Sequence, residues 1–130
     1  VGVDLVKNKK ILERAYNDKE GITAKFNKNI LKVINTKYGL NFRLNDFEHK
    51  AFYNVKKNRI EMHLSTKKNF SQVLNKRNIK FSKGETIHTE NSHKYTKNKF
   101  SKLARNSGFE VIKILTDKKN FFGVFLLKVK

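Results

Sequence analysis

A chain of 130 residues can fold around one hydrophobic core but leaves no room for two independent domains. Its 38% hydrophobic content, with 11 Phe, excludes a disordered tail in spite of the 32% charged fraction, and the lack of cysteine excludes disulfides and thiolate metal sites. The net charge of +19 does not by itself name a nucleic-acid partner: 25 of the 30 basic residues are Lys, spread in pairs such as Lys9-Lys10 and Lys118-Lys119, and only 5 are the Arg that reads bases and forks phosphates.

Val1 to Val6 is an apolar run that reads as a strand buried on both faces of a parallel sheet. It opens without a lead-in, so a cut at residue 1 is expected. Lys9 to Tyr16 carries Ile11, Leu12 and Ala15 at helical spacing, and Asn17-Asp18 with Gly21 reads as a turn. From Ile22 to about Tyr38, apolar residues at 22, 26, 30, 33 and 34 predict a helix with that stripe inward, ended by Gly39. Asn45 or Asp46 is expected to cap a short helix through Phe47 and Ala51.

From Arg59 the period becomes two. Arg59 to Leu64, Ser71 to Leu74, Ile79 to Phe81 and Glu85 to Asn91 then predict an antiparallel meander. Thr96 is expected to cap a helix carrying Phe100, Leu103 and Ala104 and ended by Gly108, followed by a hairpin of Phe109 to Leu115 and Phe121 to Val129.

The chemistry is concentrated in Gly84 to Tyr95, Gly-Glu-Thr-Ile-His-Thr-Glu-Asn-Ser-His-Lys-Tyr. Strict alternation along a strand sets Thr86, His88, Glu90 and Ser92 on one face. A carboxylate and a hydroxyl two residues apart offer acceptors and a donor to a small polar ligand such as an imidazole or an amide. Other chemistries are disfavoured. His88 and His93 are predicted on opposite faces, so no metal is expected. The six glycines never fall two apart, so neither a dinucleotide fingerprint nor a Walker loop is present, and neighbours on a strand do not form a Ser-His relay at Ser92. No signal segment or apolar run of about 18 residues appears, so no membrane partner is expected and the cytoplasm is the expected location.

Several strings then combine: Val-Gly-Val-Asp-Leu-Val-Lys7, Ala15-Tyr-Asn-Asp18, Gly21-Ile-Thr-Ala-x-Phe-Asn27, Arg59-Ile-Glu-Met-His63, the Gly84-to-Tyr95 motif, and Thr116-Asp117 before the last strand. In this order, and over essentially the whole chain, they resemble the C-terminal part of the histidine-specific, S-adenosylmethionine-dependent N-alpha-methyltransferases of the ergothioneine type. The resemblance implies an α/β enzyme more than twice this long whose N-terminal half holds S-adenosyl-L-methionine and most of the catalytic cleft. No cofactor-binding or catalytic residue is then expected in this chain, which alone should be inactive. Residues 1–7 and 96–130 would complete a Rossmann-like methyltransferase sheet, its last strand antiparallel between two neighbours, with 8–95 an inserted α+β substrate-binding subdomain.

By the same resemblance Tyr16 helps hold the amino acid carboxylate, Glu90 and Ser92 hold the imidazole, and Thr23 and Met62 line the pocket. His93 stands where an aromatic is common in the family motif. The implied partners are an amino acid substrate and the N-terminal half, and an open edge along Val1 to Val6 would invite association. Two other readings stay open: a free-standing basic module that binds RNA or DNA non-specifically, and an interaction domain left when such an enzyme lost its N-terminal half.

Overall fold

A computed structural model describes all of residues 1–130 and gives an α+β chain of two main sheets and a separate hairpin. The first sheet is built from the two ends of the chain. Strand β8 (Phe122–Val129) runs antiparallel between β1 (Gly2–Asp4) and β7 (Phe109–Thr116), the arrangement the resemblance implied. Helix α3 (Lys97–Asn106), capped by the Thr96 hydroxyl accepting from Lys99 N–H, packs Phe100 over Val3, Leu5 and Phe125. One face of the sheet is thus filled. The opposite face leaves Leu115, Phe122, Val124 and Leu126 exposed. Gly2 belongs under the Phe122 ring, where an added Cβ would sit 2.8 Å from Cζ.

Two expectations for the first strand need correction. Its ladder is antiparallel, and burial alternates along Gly2, Val3, Asp4 and Leu5, because only the α3 side is covered. Its outer edge is also partly closed: Tyr95 N–H donates to Asp4 O and Val6 N–H to Tyr95 O, a parallel bridge that leaves only the Gly2 and Val3 stretch open.

The second sheet has the order β2 (Phe47–Asn54), β3 (Arg59–Thr66), β6 (Thr86–His93), all antiparallel, with the hairpin of β4 (Phe70–Leu74) and β5 (Arg77–Phe81) inserted between β3 and β6. That hairpin turns on Asn75 and Lys76, both at positive φ, so its loop is two residues long instead of the four expected. The helix expected through Phe47 and Ala51 is strand β2. A single 3-10 turn at Leu44–Asp46 precedes it, and the alternation of Phe47, His49, Ala51 and Tyr53 toward the helices decides in favour of the sheet.

Helices α1 (Lys9–Tyr16) and α2 (Ile22–Tyr38) cover that inner face. Gly39 ends α2 at φ 65°, where a side chain would be strained. Of the predicted α2 stripe only Ile34 packs against the core. Leu31 and Asn27 are buried, at 1% and 3% exposure, while Ile22, Phe26, Ile30 and Val33 face outward. The buried amide of Asn27 is half satisfied: its NH2 donates to His49 Nδ1 (2.9 Å) and to His63 O (3.1 Å), while its Oδ1 has no partner.

Asp18 fixes the start of α2 by accepting from Ile22 N–H (2.6 Å) and Thr23 N–H (2.9 Å). The Thr23 hydroxyl bond, then the two backbone N–H groups, hold its carboxyl down at about 2. A depressed carboxylate stabilises the fold above its unfolded value near 4, and that contribution is lost as the pH falls toward 2. Thermal melts between pH 5 and 2 should therefore show a loss of Tm that Asp18→Asn, which caps without titrating, reduces.

Candidate functional site

The Gly84-to-Tyr95 motif lies on β6, beside the buried strand β3. Their register is broken once: Met62 pairs with Glu90 but His63 with His88, so Thr89 is an extra residue, its hydroxyl donating to Met62 O at 2.9 Å. This bulge changes the predicted faces. Ser92, opposite Ile60, and Glu90, opposite Met62, share the helix-covered face, whereas His88 turns to the outer face with His63. His93, opposite Arg59, lies on that outer face too, so the expectation that the two histidines diverge is overturned by one inserted residue.

On the inner face, Tyr16 at the end of α1 meets Ser92, 76 residues further on, its hydroxyl donating to Ser92 Oγ at 2.7 Å. Lys94 joins them. Its Nζ donates to Ser92 Oγ at 2.6 Å and to Tyr16 Oη at 2.9 Å, and pairs with Asp4 at 3.2 Å, with a side chain only 1% exposed. Lys7 pairs with the same Asp4. A second chain of bonds sets the end of α1: Asn27 holds His49 Nδ1, which leaves His49 Nε2–H to donate to Tyr16 O at 2.8 Å.

Met62 is buried, packed with Leu12, Tyr53 and Ile60 directly behind Tyr16. Thr23 N–H donates to Asp18, and Thr23 bonds to none of the others. Glu90 is exposed and enters none of the ion pairs of the chain. It lines a cleft of about 210 Å³ with Phe26, Asn27, Ile30, Val33 and Thr89, so the outward stripe of α2 forms a wall beside the carboxylate. Tyr16 lines a separate cleft of about 280 Å³ with Asp18, Lys28 and His49. Neither cleft is lined by both residues. Tyr16, Met62 and Ser92 thus form one packed group and Glu90 stands beside it, with Thr23 apart.

The residues missed in the sequence are Lys94, His49 and Asn27. Lys94 carried a signal: it is the sole basic side chain of the motif other than histidine, placed two residues after Ser92 and so on the same face. His49 and Asn27 carried none, because their meeting depends on how α2 lies across β2.

The outer face holds Glu61, His63 and His88 with donor atoms within 4.8 Å of one another. Its geometry suits stacking more than chelation. The two imidazoles lie parallel, 4.5 Å apart and inclined by 13°, so their in-plane lone pairs do not converge, and Phe52 stacks on His63 from the other side at 5.3 Å. Glu61 already accepts from Arg59 and Asn54, and Arg59 holds its carboxyl down. Burial, then the neighbouring His88, pushes the His63 imidazole below its usual value.

The sequence that folds in this way matches a known family. The family described as histidine-specific, S-adenosylmethionine-dependent methyltransferase covers residues 1–129, and the chain belongs to it. Two relatives carry the name histidine N-alpha-methyltransferase. The one from Mycolicibacterium smegmatis is 37% identical over 129 residues, and that from Mycobacterium tuberculosis 34% over 128. Each alignment takes in 97% of this chain, which spans 40% of the length of either relative. No helix is long and apolar enough to cross a membrane.

Proposed function

We propose that residues 1–130 are the substrate-gripping C-terminal portion of an S-adenosyl-L-methionine-dependent enzyme that methylates the alpha-amino group of histidine or a similar amino acid. The observation that carries this reading is the meeting of Tyr16 and Ser92 in one hydrogen bond beside the unpaired carboxylate of Glu90. In it, Glu90 and Ser92 hold the side chain of the substrate, Tyr16, whose one proton goes to Ser92, is a wall on the side of the substrate carboxylate, and Met62 and Thr23 support the pocket. Residues 8–95 act as the substrate-binding insertion, and residues 1–7 and 96–130 as part of the methyltransferase sheet. A cytoplasmic location agrees with this chemistry.

The glycines of this chain offer the methyl donor no close backbone approach. Gly2 and Gly123 face the rings of Phe122 and Phe125, and the other four glycines sit at positive φ in open turns, so none forms a cradle for a phosphate-free nucleoside. The donor is therefore assigned to the longer part of the protein, as is the reacting centre. The exposed apolar face of β7 and β8 and the open edge at Gly2 and Val3 support docking of that part here, since such surfaces are unfavourable in water.

Two titrations test the reading. The whole protein should transfer methyl groups from S-adenosyl-L-methionine to L-histidine, and the 130-residue chain alone should give no calorimetric signal with the donor. A whole protein that turns over no amino acid would overturn the proposal. Sequence-selective nucleic-acid binding by the chain that survives about 200 mM salt would favour the basic-module reading instead.

A further inference from the structure

The reading above leaves a buried cation unexplained. Lys94 is the one charged side chain of the motif that is buried, and its ammonium is enclosed with three partners, Tyr16 Oη, Ser92 Oγ and Asp4. An apolar residue would fill the space without the cost of burying a charge. The hydrogen-bond inventory of the two hydroxyls shows what the charge does. Each hydroxyl has one proton, and Lys94, which can only donate, places a proton on each oxygen. The 2.7 Å bond between the oxygens uses one of their own two protons. The phenol is far more acidic than the serine hydroxyl, so that proton comes from Tyr16. Ser92 Oγ then accepts from both Tyr16 and Lys94, which fills its two lone pairs, and only its own O–H is left to face a ligand.

We propose that Lys94 is a positioning and specificity-determining residue that makes Ser92 an obligate hydrogen-bond donor, so that the Glu90 and Ser92 pair accepts a neutral imidazole and rejects the imidazolium. This inference rests on the reading of Glu90 and Ser92 as the ring-holding pair. An ionised carboxylate only accepts, and Ser92 only donates, so the pair matches a ring with one N–H and one bare nitrogen. The imidazolium has two N–H groups. One satisfies Glu90, and the other meets the Ser92 O–H donor to donor and leaves both without an acceptor.

Glu90 by itself would favour the charged ring, so the polarity set by Lys94 works against the carboxylate. The ionisable groups around Lys94 are Asp4 from β1, with Lys7 beyond it, Tyr16 from α1, Tyr53 from β2 and Glu90 on β6. Two imidazoles touch the backbone of the site, His49 at Tyr16 O from β2 and His88 at Glu90 O on β6. A pH dependence of binding between pH 5.5 and 7.5 is therefore assigned to the ring of the ligand, whose ordinary value is about 6.5, by its loss in a Lys94 variant that leaves both histidines in place.

The test is calorimetric titration of the whole protein with L-histidine at pH 5.5 and 7.5. Wild type should bind about tenfold more weakly at pH 5.5, the loss expected when about nine-tenths of the ring is protonated. Lys94→Met frees a lone pair on Ser92, and its affinity should change by less than about twofold over the same range. Lys94→Arg, which keeps the donors, should restore much of the acid loss, a rescue that a purely structural lysine would not link to pH. Where Lys94→Met melts too low for titration, Ser92→Ala reads the same property, since deleting the hydroxyl removes the clash and should likewise flatten the profile. A tenfold acid loss that persists in Lys94→Met or in Ser92→Ala overturns the role of Lys94 while leaving the ring-holding pair intact. A flat wild-type profile also overturns it, and a wild type that binds no histidine overturns the pair and this inference together.

Discussion

In the whole enzyme, Glu90→Ala should raise KM for histidine by about 10- to 150-fold while kcat falls far less. The range follows from a charged hydrogen bond worth about 1.5 to 3 kcal/mol, at about 1.4 kcal/mol per factor of ten. The carboxylate grips the end of the substrate remote from the amine, so its loss weakens ground state and transition state together. Ser92→Ala should follow in milder form, since a neutral hydrogen bond is worth about 0.5 to 1.5 kcal/mol. Glu90 is exposed and pairs with nothing in the chain, so its removal should leave the thermal melt unchanged and separate binding from folding. Steady-state kinetics beside thermal melts provide the measurement. Unchanged histidine kinetics in Glu90→Ala would mean that this strand is only a solvated edge, for which substitutions stay within about 0.5 kcal/mol.

Phe47→Ala should have the opposite character, with a large loss of stability and no selective loss of substrate affinity. Phe47 has no exposed surface and packs edge-on against Phe42 and Phe70 at 5.9 and 5.6 Å, in a cluster with Leu31 and Leu64 that ties α2, β2 and β3 together. Removing a buried ring costs about 3 to 5 kcal/mol in transfer and cavity terms, much of the 5 to 15 kcal/mol that holds a domain folded. Urea unfolding followed by circular dichroism should show the midpoint fall by about one-fifth or more. Phe42 and Phe81 meet edge to face and Phe70 stacks on Phe81 at 4.8 Å, so the inserted β4 and β5 hairpin depends on the same cluster and should loosen with it. A small shift would show that the cavity is refilled by its aromatic neighbours.

How far the chain could be read in one dimension depended on whether a feature was set by near neighbours. Helix α2 was bounded to the residue by Gly39 and its apolar period, and the hairpin of β7 and β8 by its loop and alternation, because capping and strand period act over a few residues. Tyr16, Glu90 and Ser92 were legible through the order of their motifs. The outward turn of the α2 stripe was not, since period gives an apolar face but not the surface that face meets. The side of the sheet on which His88 lies was hidden as well: a bulge at Thr89 is a property of two paired strands, and one inserted residue reverses every face before it. Lys94 shows the same limit at the site. Its place beside Ser92 is in the sequence, but its burial under Tyr16 and Asp4 required α1 and β1 to close over β6, a meeting of segments 78 and 90 residues away that only the tertiary fold could bring about.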